Sequence, residues 1–216
     1  MAIPKIPPYP VPTGPYPTNV NWTIDVNRVA LLVHDMQRYF LDAYDVTADP
    51  MATALPNMVA IREACETASV PVVFTAQPGD QHPSRRGILA DFWGKGLSSG
   101  RDEEIVDELA VRDHNILVTK WRYSSFQRTD MRHLLAHHGR DQLIVVGVYA
   151  HMGCMISATE AFMGDVEPFF VYDALGDFSA EEHEMAATYI AKRAGRVLST
   201  AEALSSLVPS ARAAAQ

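Results

Sequence analysis

The sequence predicts an α/β fold, a doubly wound and mainly parallel sheet of about six strands with helices on both faces. Three observations point to it. Short, continuously apolar runs recur along the chain, the pattern of strands buried on both faces. Stretches of helical periodicity separate them, so strand and helix alternate. No linker or internal repeat interrupts the alternation, and strand–helix–strand units of this kind wind into a parallel sheet.

Residues 1–18 hold Pro4, Pro7, Pro8, Pro10, Pro12, Pro15 and Pro17, which favour extended polyproline-like geometry and forbid a helix. This segment is expected to lie as an arm across the domain or a partner subunit, with a flexible tag as the alternative. Val29-Ala-Leu-Leu-Val-His34 is an apolar run too short for a helix and reads as the first buried strand. Met51 to Thr67 reads as a helix whose apolar face includes Leu55, Met58, Val59 and Ile61. Val70 to Thr75 is strand-like, with proline tolerated only near its start. Glu103 to Leu109 reads as helix, Asn115 to Thr119 as strand, Thr129 to His137 as helix and Gln142 to Gly147 as a buried strand. Residues 154–164 then read as helix, Pro168 to Tyr172 as strand, Ala180 to Arg193 as helix and Arg196–Leu198 as a short strand. Residues 19–207 are therefore expected to form one domain, and 208–216 a frayed tail.

At 216 residues and 48% hydrophobic, the chain can bury one substantial core. A formal net charge of -8 argues against nucleic-acid binding, which needs a basic face to displace counterions. No apolar run approaches the ~20 residues that span a bilayer. The proline-broken N-terminus lacks the pattern of a signal peptide, so the expected location is cytoplasmic. Cys65 and Cys154 make neither a disulfide framework nor a metal cluster.

In doubly wound sheets ligands bind beyond the carboxyl ends of the strands, where strand order reverses. The polar residues just after each apolar run are therefore the candidates. Four runs deliver Asp35, Gln77, Lys120 and Tyr149 towards one crevice. Asp35 follows a fully apolar strand, which suits an active-site acid; a helix N-cap is the alternative. Lys120 leaves a buried strand and needs a carboxylate partner, because an unpaired buried ammonium is costly; a solvated loop lysine is the alternative. Cys154 begins a helix, where a thiol can be activated, yet most free cysteines are simply small buried groups. Extended geometry points His34 away from Asp35 and gives it a structural role, while His151 is expected to bond backbone. His183 has no evident role, and the remaining histidines read as surface residues. No cluster of ligands is tight enough for zinc. Arg85-Arg86-Gly87 and Phe92-Trp93-Gly94 lie in a long connection that reads as a lid or partner-facing excursion. A guanidinium there suits a carboxylate ligand; a surface ion pair is the alternative.

The strings His34-Asp-Met-Gln-Arg-Tyr-Phe40, Thr75-Ala-Gln-Pro78, Lys120-Trp-Arg-Tyr-Ser-Ser-Phe126 and Gly147-Val-Tyr-Ala-His-Met-Gly-Cys154 together resemble the isochorismatase branch of the cysteine-hydrolase superfamily. The resemblance implies hydrolysis of the enolpyruvyl ether of isochorismate, or of its 2-amino-2-deoxy analogue, with no metal or cofactor. It places the superfamily's nucleophilic cysteine at Gly153, one position before Cys154. One helical residue rotates a side chain by about 100°, so Cys154 is expected to point away from the substrate. Asp35 then becomes the proton donor, with Lys120 beside it as the second catalytic residue. The resemblance also assigns Lys120, Gln77, Arg86 and Tyr149 to the substrate's carboxylates or hydroxyls. Trp93, Tyr123 and Phe40 shape the pocket beside Gly153, and a non-proline cis peptide falls at Val148–Tyr149. Lysine favours ionised Asp35 although the reaction needs it protonated; substrate carboxylates engaging Lys120 are expected to reverse this. A homodimer or larger assembly and a separate carrier protein are the implied partners. A Cys154-dependent amidase of the nicotinamidase type and a non-catalytic partner of a carrier protein are the alternatives.

Overall fold

The computed structural model describes residues 3–208. Its strands are β1 (Val29–His34), β2 (Val72–Ala76), β3 (Ile116–Thr119), β4 (Gln142–Val148), β5 (Glu167–Gly176) and β6 (Arg196–Leu198). They form one six-stranded sheet in the order β3-β2-β1-β4-β5-β6, and every neighbouring pair is parallel. The helices are α1 (Arg38–Leu41), α2 (Met51–Thr67), α3 (Pro83–Arg86), α4 (Leu89–Trp93), α5 (Met131–His137), α6 (Met155–Phe162), α7 (Ala180–Arg193) and α8 (Thr200–Leu207).

The apolar runs read as buried strands are buried for a simple reason: both faces of the sheet are covered. Along β1, alternate side chains serve two cores. Val29, Leu31 and Val33 pack in a core with Met58 and Ile61 of α2 and Leu207 of α8. Ala30 and Leu32 pack in the other with Leu135 of α5, Ala158 of α6 and Ile190 of α7. Strand order reverses between β1 and β4, so the crevice of a doubly wound sheet opens beyond their carboxyl ends. There the two strands approach closely. Gly147 pairs with His34 at φ +119°, and an added Cβ would lie 2.2 Å from the His34 carbonyl oxygen.

Several elements differ from expectation. The helix expected over Glu103–Leu109 is two 3-10 turns, Arg101–Glu103 and Asp107–Leu109. Between them Ile105 bridges to Gln37, with Arg38 N–H donating to Glu104 O at 2.8 Å and Val106 N–H to Met36 O at 3.0 Å. This extended pairing to the chain leaving β1 prevents helix closure. The helix expected from residue 154 starts as a π-helical turn, Ala150–Cys154, before α6. β5 continues to Gly176, four residues beyond the expected end, because a register shift between Val145 and Gly147 lets Leu175 and Gly176 rejoin β4. The sequence reading did not anticipate α8, which a Ser199–Glu202 capping box starts.

The proline-rich arm lies across its own domain. Ile6 and Tyr9 are buried, and their N–H groups donate to Ala43 O at 2.9 Å and Asp49 O at 3.0 Å. The Tyr9 hydroxyl accepts the Asp177 N–H at 2.6 Å and meets His183 Nδ1 at 3.2 Å. His183, which had no evident role, is thus an anchor for the arm; its other ring nitrogen lies 2.9 Å from Tyr172 O. Of the tail, residues 209–216 lie outside the described residues. Among the described residues no helix is long and apolar enough to cross a membrane.

Tyr9→Phe leaves the buried Asp177 N–H and His183 ring without their partner. The expected cost is about 1–3 kcal/mol of stability, read as a lowered urea midpoint at unchanged slope.

Candidate active site

Beyond β1 and β4 lies a pocket, open to solvent, lined by Asp35, Gln77, Arg86, Lys120, Arg122 and a largely aromatic and aliphatic wall. Asp35 is the sole carboxylate among its lining residues. It leaves β1 at φ +50°, a left-handed conformation that costs a non-glycine residue energy and is held by its surroundings. Its holders are visible. Asp35 N–H donates to Thr75 Oγ1 at 3.2 Å, and that hydroxyl donates to Asp35 Oδ1 at 2.7 Å. Gln77 Nε2 donates to Oδ2 at 3.1 Å, and Lys120 Nζ lies 2.9 Å from the same oxygen. Asp35 caps no helix: the residue before α1 is Gln37.

Lys120 and Asp35 are 1% and 3% exposed. A buried pair of this kind persists only when both partners are fully hydrogen-bonded. Lys120 meets that condition, since Nζ also donates to Arg122 O at 2.6 Å and reaches Tyr123 O at 3.4 Å. Its three N–H groups are therefore taken. The expectation that Lys120 binds substrate carboxylates does not fit this arrangement; its charge is directed at Asp35. Burial opposes the charge of Asp35, but the Lys120 ammonium and the Thr75 hydroxyl outweigh it and hold the carboxyl below its usual range.

Tyr149 also departs from the assigned role. Its ring lines the pocket, yet its hydroxyl donates to Phe40 O at 3.1 Å and has no proton left for a ligand. Phe40 packs edge-on against that ring, centroids 5.9 Å apart. Trp93 Nε1 donates to the Tyr123 hydroxyl at 2.6 Å, joining the β2–β3 connection to the chain after β3. The Val148–Tyr149 peptide is cis.

Arg86 is buried. Its Nε donates to Gly94 O at 3.1 Å and its Nη1 to Gln77 Oε1 at 3.3 Å. Arg122 lines the same pocket and donates through Nη1 to the Arg85 and Trp121 carbonyls. Among the described residues neither guanidinium has a carboxylate within salt-bridge distance. Two cations without counter-charges beside an apolar wall are suited to an anionic ligand.

Gly153 is fixed by His34. The imidazole nitrogens face Val148 O at 2.8 Å and Tyr123 O at 3.2 Å, and burial lowers the ring's pKa. A Cβ at position 153 would come within 2.0 Å of His34 Cε1. His34 therefore occupies the space that a side chain at 153 would need. Cys154 points to the other core, packed among Ala150 and Ala158, fully buried, with burial pushing its thiol pKa well up. His151 was expected to bond backbone; its ring instead meets a carboxylate, with Nδ1 2.6 Å from Asp177 Oδ1. His151, Asp177 and Glu182 place ligand-type atoms within 4.8 Å of one another. Asp177 already accepts from the His151 and Phe178 amides, so this group braces the turn after β5.

Several site residues were not singled out from sequence. Thr75 ends an apolar run as its one polar member and pairs across the sheet with His34, a readable signal. Arg122 lies within the Lys120–Phe126 segment, two residues beyond Lys120, where sequence alone assigns it no role. Ile3 from the arm and Phe178 after β5 also line the pocket; only the chain's path brings them there.

Fold and pocket together define a doubly wound α/β protein with an acid–lysine pair at the topological switch point. The isochorismatase domain model matches residues 29–202. The chain is 48% identical over 210 residues to an isochorismatase of Bacillus subtilis (strain 168), covering 96% of this chain and 67% of that protein. It is 47% identical to the phenazine biosynthesis protein PhzD of Pseudomonas fluorescens, covering 93% of this chain and 98% of that protein. The chain belongs to the isochorismatase family. A cysteine hydrolase from Pseudomonas syringae pv. phaseolicola 1448A shares the fold at TM-score 0.80 and 23% identity, covering 87% of this chain and 96% of that one.

Gly153→Ala is expected to cost about 1–3 kcal/mol by overpacking against His34. In the His34→Ala background the same change should cost about 1 kcal/mol less or better still, a coupling measurable by a double-mutant unfolding cycle.

Proposed function

We propose that this protein hydrolyses the enolpyruvyl vinyl ether of isochorismate, or of 2-amino-2-deoxyisochorismate, with Asp35 as proton donor. The observation that carries the reading is a pocket holding a single carboxyl group and two guanidiniums without counter-charges. The substrate is a cyclohexadiene ring with one carboxylate on the ring and a second on its enolpyruvyl arm, which this distribution suits. Asp35 delivers its proton to the terminal methylene carbon of the vinyl ether, leaving an oxocarbenium ion. Water adds to that cation and returns a proton to the Asp35 carboxylate. The resulting hemiketal collapses to pyruvate and a dihydro-hydroxybenzoate-type product.

Each neighbouring residue then has a task. Arg86 and Arg122 hold carboxylates; Trp93, Tyr123, Phe40 and Phe178 exclude water around the ring; Lys120 and Thr75 fix the carboxyl of Asp35. No covalent intermediate is required, which agrees with a glycine at 153 and a core-facing Cys154. A homodimer and a separate carrier protein belong to the same proposal, on the strength of the resemblance.

Pyruvate release from each purified substrate tests the reading, and none from either would overturn it. Asp35→Asn is expected to lower kcat by about 10²–10⁴-fold, the usual contribution of a positioned acid. Cys154→Ala should retain turnover; its abolition would favour the amidase reading instead.

A further inference from the structure

The free site presents a contradiction. Every neighbour within hydrogen-bond reach of the Asp35 carboxyl donates to it, which favours the anion, whereas proton donation requires the acid. The groups facing Asp35 come from several elements. His34 precedes it on β1, with Nδ1 3.8 Å from Oδ1. Thr75 and Gln77 come from the end of β2 and Lys120 from the end of β3. Tyr149 and Cys154 follow β4, the first with its hydroxyl on Phe40 O and the second in the far core. Arg86, at the end of α3, reaches the acid only through Gln77.

Two of the donors can become acceptors without losing their place: the Thr75 hydroxyl can rotate and the Gln77 amide can turn over. Of these only Gln77 also bonds the cation of the anion site, accepting through Oε1 from Arg86 Nη1 at 3.3 Å. The Gln77 main chain is clamped at both ends by a single side chain: its N–H donates to Gln37 Oε1 at 2.8 Å, and Gln37 Nε2 donates to its carbonyl at 2.8 Å. Only the side-chain amide is left to turn. That amide stands between a carboxylate and a guanidinium. With Asp35 ionised, the sole orientation satisfying both neighbours puts Nε2 on Asp35 and Oε1 on Arg86. Turned over, Oε1 would accept a proton carried on Asp35 Oδ2, but Nε2 would then face a guanidinium that also only donates. The turned state is unfavourable while Arg86 depends on Gln77 for that acceptor. A ligand carboxylate on Arg86 supplies a better acceptor and removes the obstacle.

We propose that Gln77 is a positioning residue that couples anion binding at Arg86 to protonation of Asp35. The inference rests on the function proposed above, since it concerns how the acid of that reaction acquires its proton. Coupling between the two sites is reciprocal: the ligand promotes protonation, and protonation tightens the ligand. The sign follows from the direction of the Asp35 shift. In the free enzyme the lowered pKa makes kcat/KM fall from low pH upwards as Asp35 ionises. In the complex the raised pKa lets kcat persist to higher pH.

The test compares pH profiles of kcat and kcat/KM, which report the complex and the free enzyme respectively. In wild type the alkaline limb of kcat should lie about one pH unit or more above that of kcat/KM. In Gln77→Leu the free-enzyme limb should move up and the separation collapse, whereas a mere packing defect would lower both curves without moving their limbs. Gln77→Met, which keeps chain length, serves if the leucine variant does not fold. An unchanged separation in the folded variant overturns the proposal. A second readout needs no turnover: sodium benzoate is added in weakly buffered solution and proton uptake is followed with an indicator dye. Uptake by wild type and its loss in the variant supports the relay; equal uptake in both, or none by wild type, overturns it. If benzoate binding draws a proton yet neither vinyl ether is hydrolysed, the reaction assignment fails and the relay stands.

Discussion

The contact between Lys120 and Asp35 is the constraint on which the site depends. Two opposite charges, both almost wholly removed from water, stay charged only while each is completely hydrogen-bonded. That requirement explains much of the surrounding structure. The chain after β3 must turn so that the Arg122 and Tyr123 carbonyls meet the ammonium. β2 must end on a hydroxyl and an amide aimed at the carboxylate. Asp35 must accept a left-handed backbone to put both its oxygens within reach. A carboxylate substituted by an amide would leave the lysine buried without a counter-charge, so the proposed proton donor is at the same time a structural requirement.

The pocket divides its work between charges that are committed and charges that are free. Lys120 is committed to Asp35, while Arg86 and Arg122 face the ligand space without a carboxylate. Gly153 and His34 make the corresponding division of volume. One imidazole, placed between two main-chain carbonyls and able as a neutral ring to donate to one of them, fills the space beside the acid and leaves room there only for a backbone. A nucleophilic side chain at position 153 has no room there, which agrees with the proposed proton transfer from Asp35.

Much of this was legible in the residues. The apolar runs at Val29–His34 and Gln142–Gly147 marked the central strands because both faces of the sheet are covered, and the first polar residues after them fell at the pocket. Periodicity identified α2 and α7 to the residue, since each turns one apolar stripe to a core. The sequence was less informative where tertiary pairing decides. Ile105 and its neighbours join the chain leaving β1 and so cannot close a helix, although Glu103–Leu109 has helical composition. Identity of side chain also did not reveal saturation: nothing in the letters shows that Lys120 and Tyr149 have spent their donors on main-chain carbonyls or Asp35. Ile3 and Phe178 reach the pocket over long chain separations, which no local pattern encodes.

The arm gives the site an unusual dependence on the first few residues described. Tyr9 and His183 are 174 positions apart in the chain, and the same arm supplies Ile3 to the pocket wall. A segment tied down by two buried side chains and a few main-chain bonds opens at a smaller free energy than the sheet beneath it. The part of the pocket wall that Ile3 supplies is therefore expected to be lost before the sheet as conditions become mildly denaturing. Enclosure of the pocket and integrity of the sheet are then expected to fail at two separate thresholds, the lower one set by the anchoring of Ile6 and Tyr9 rather than by the strands.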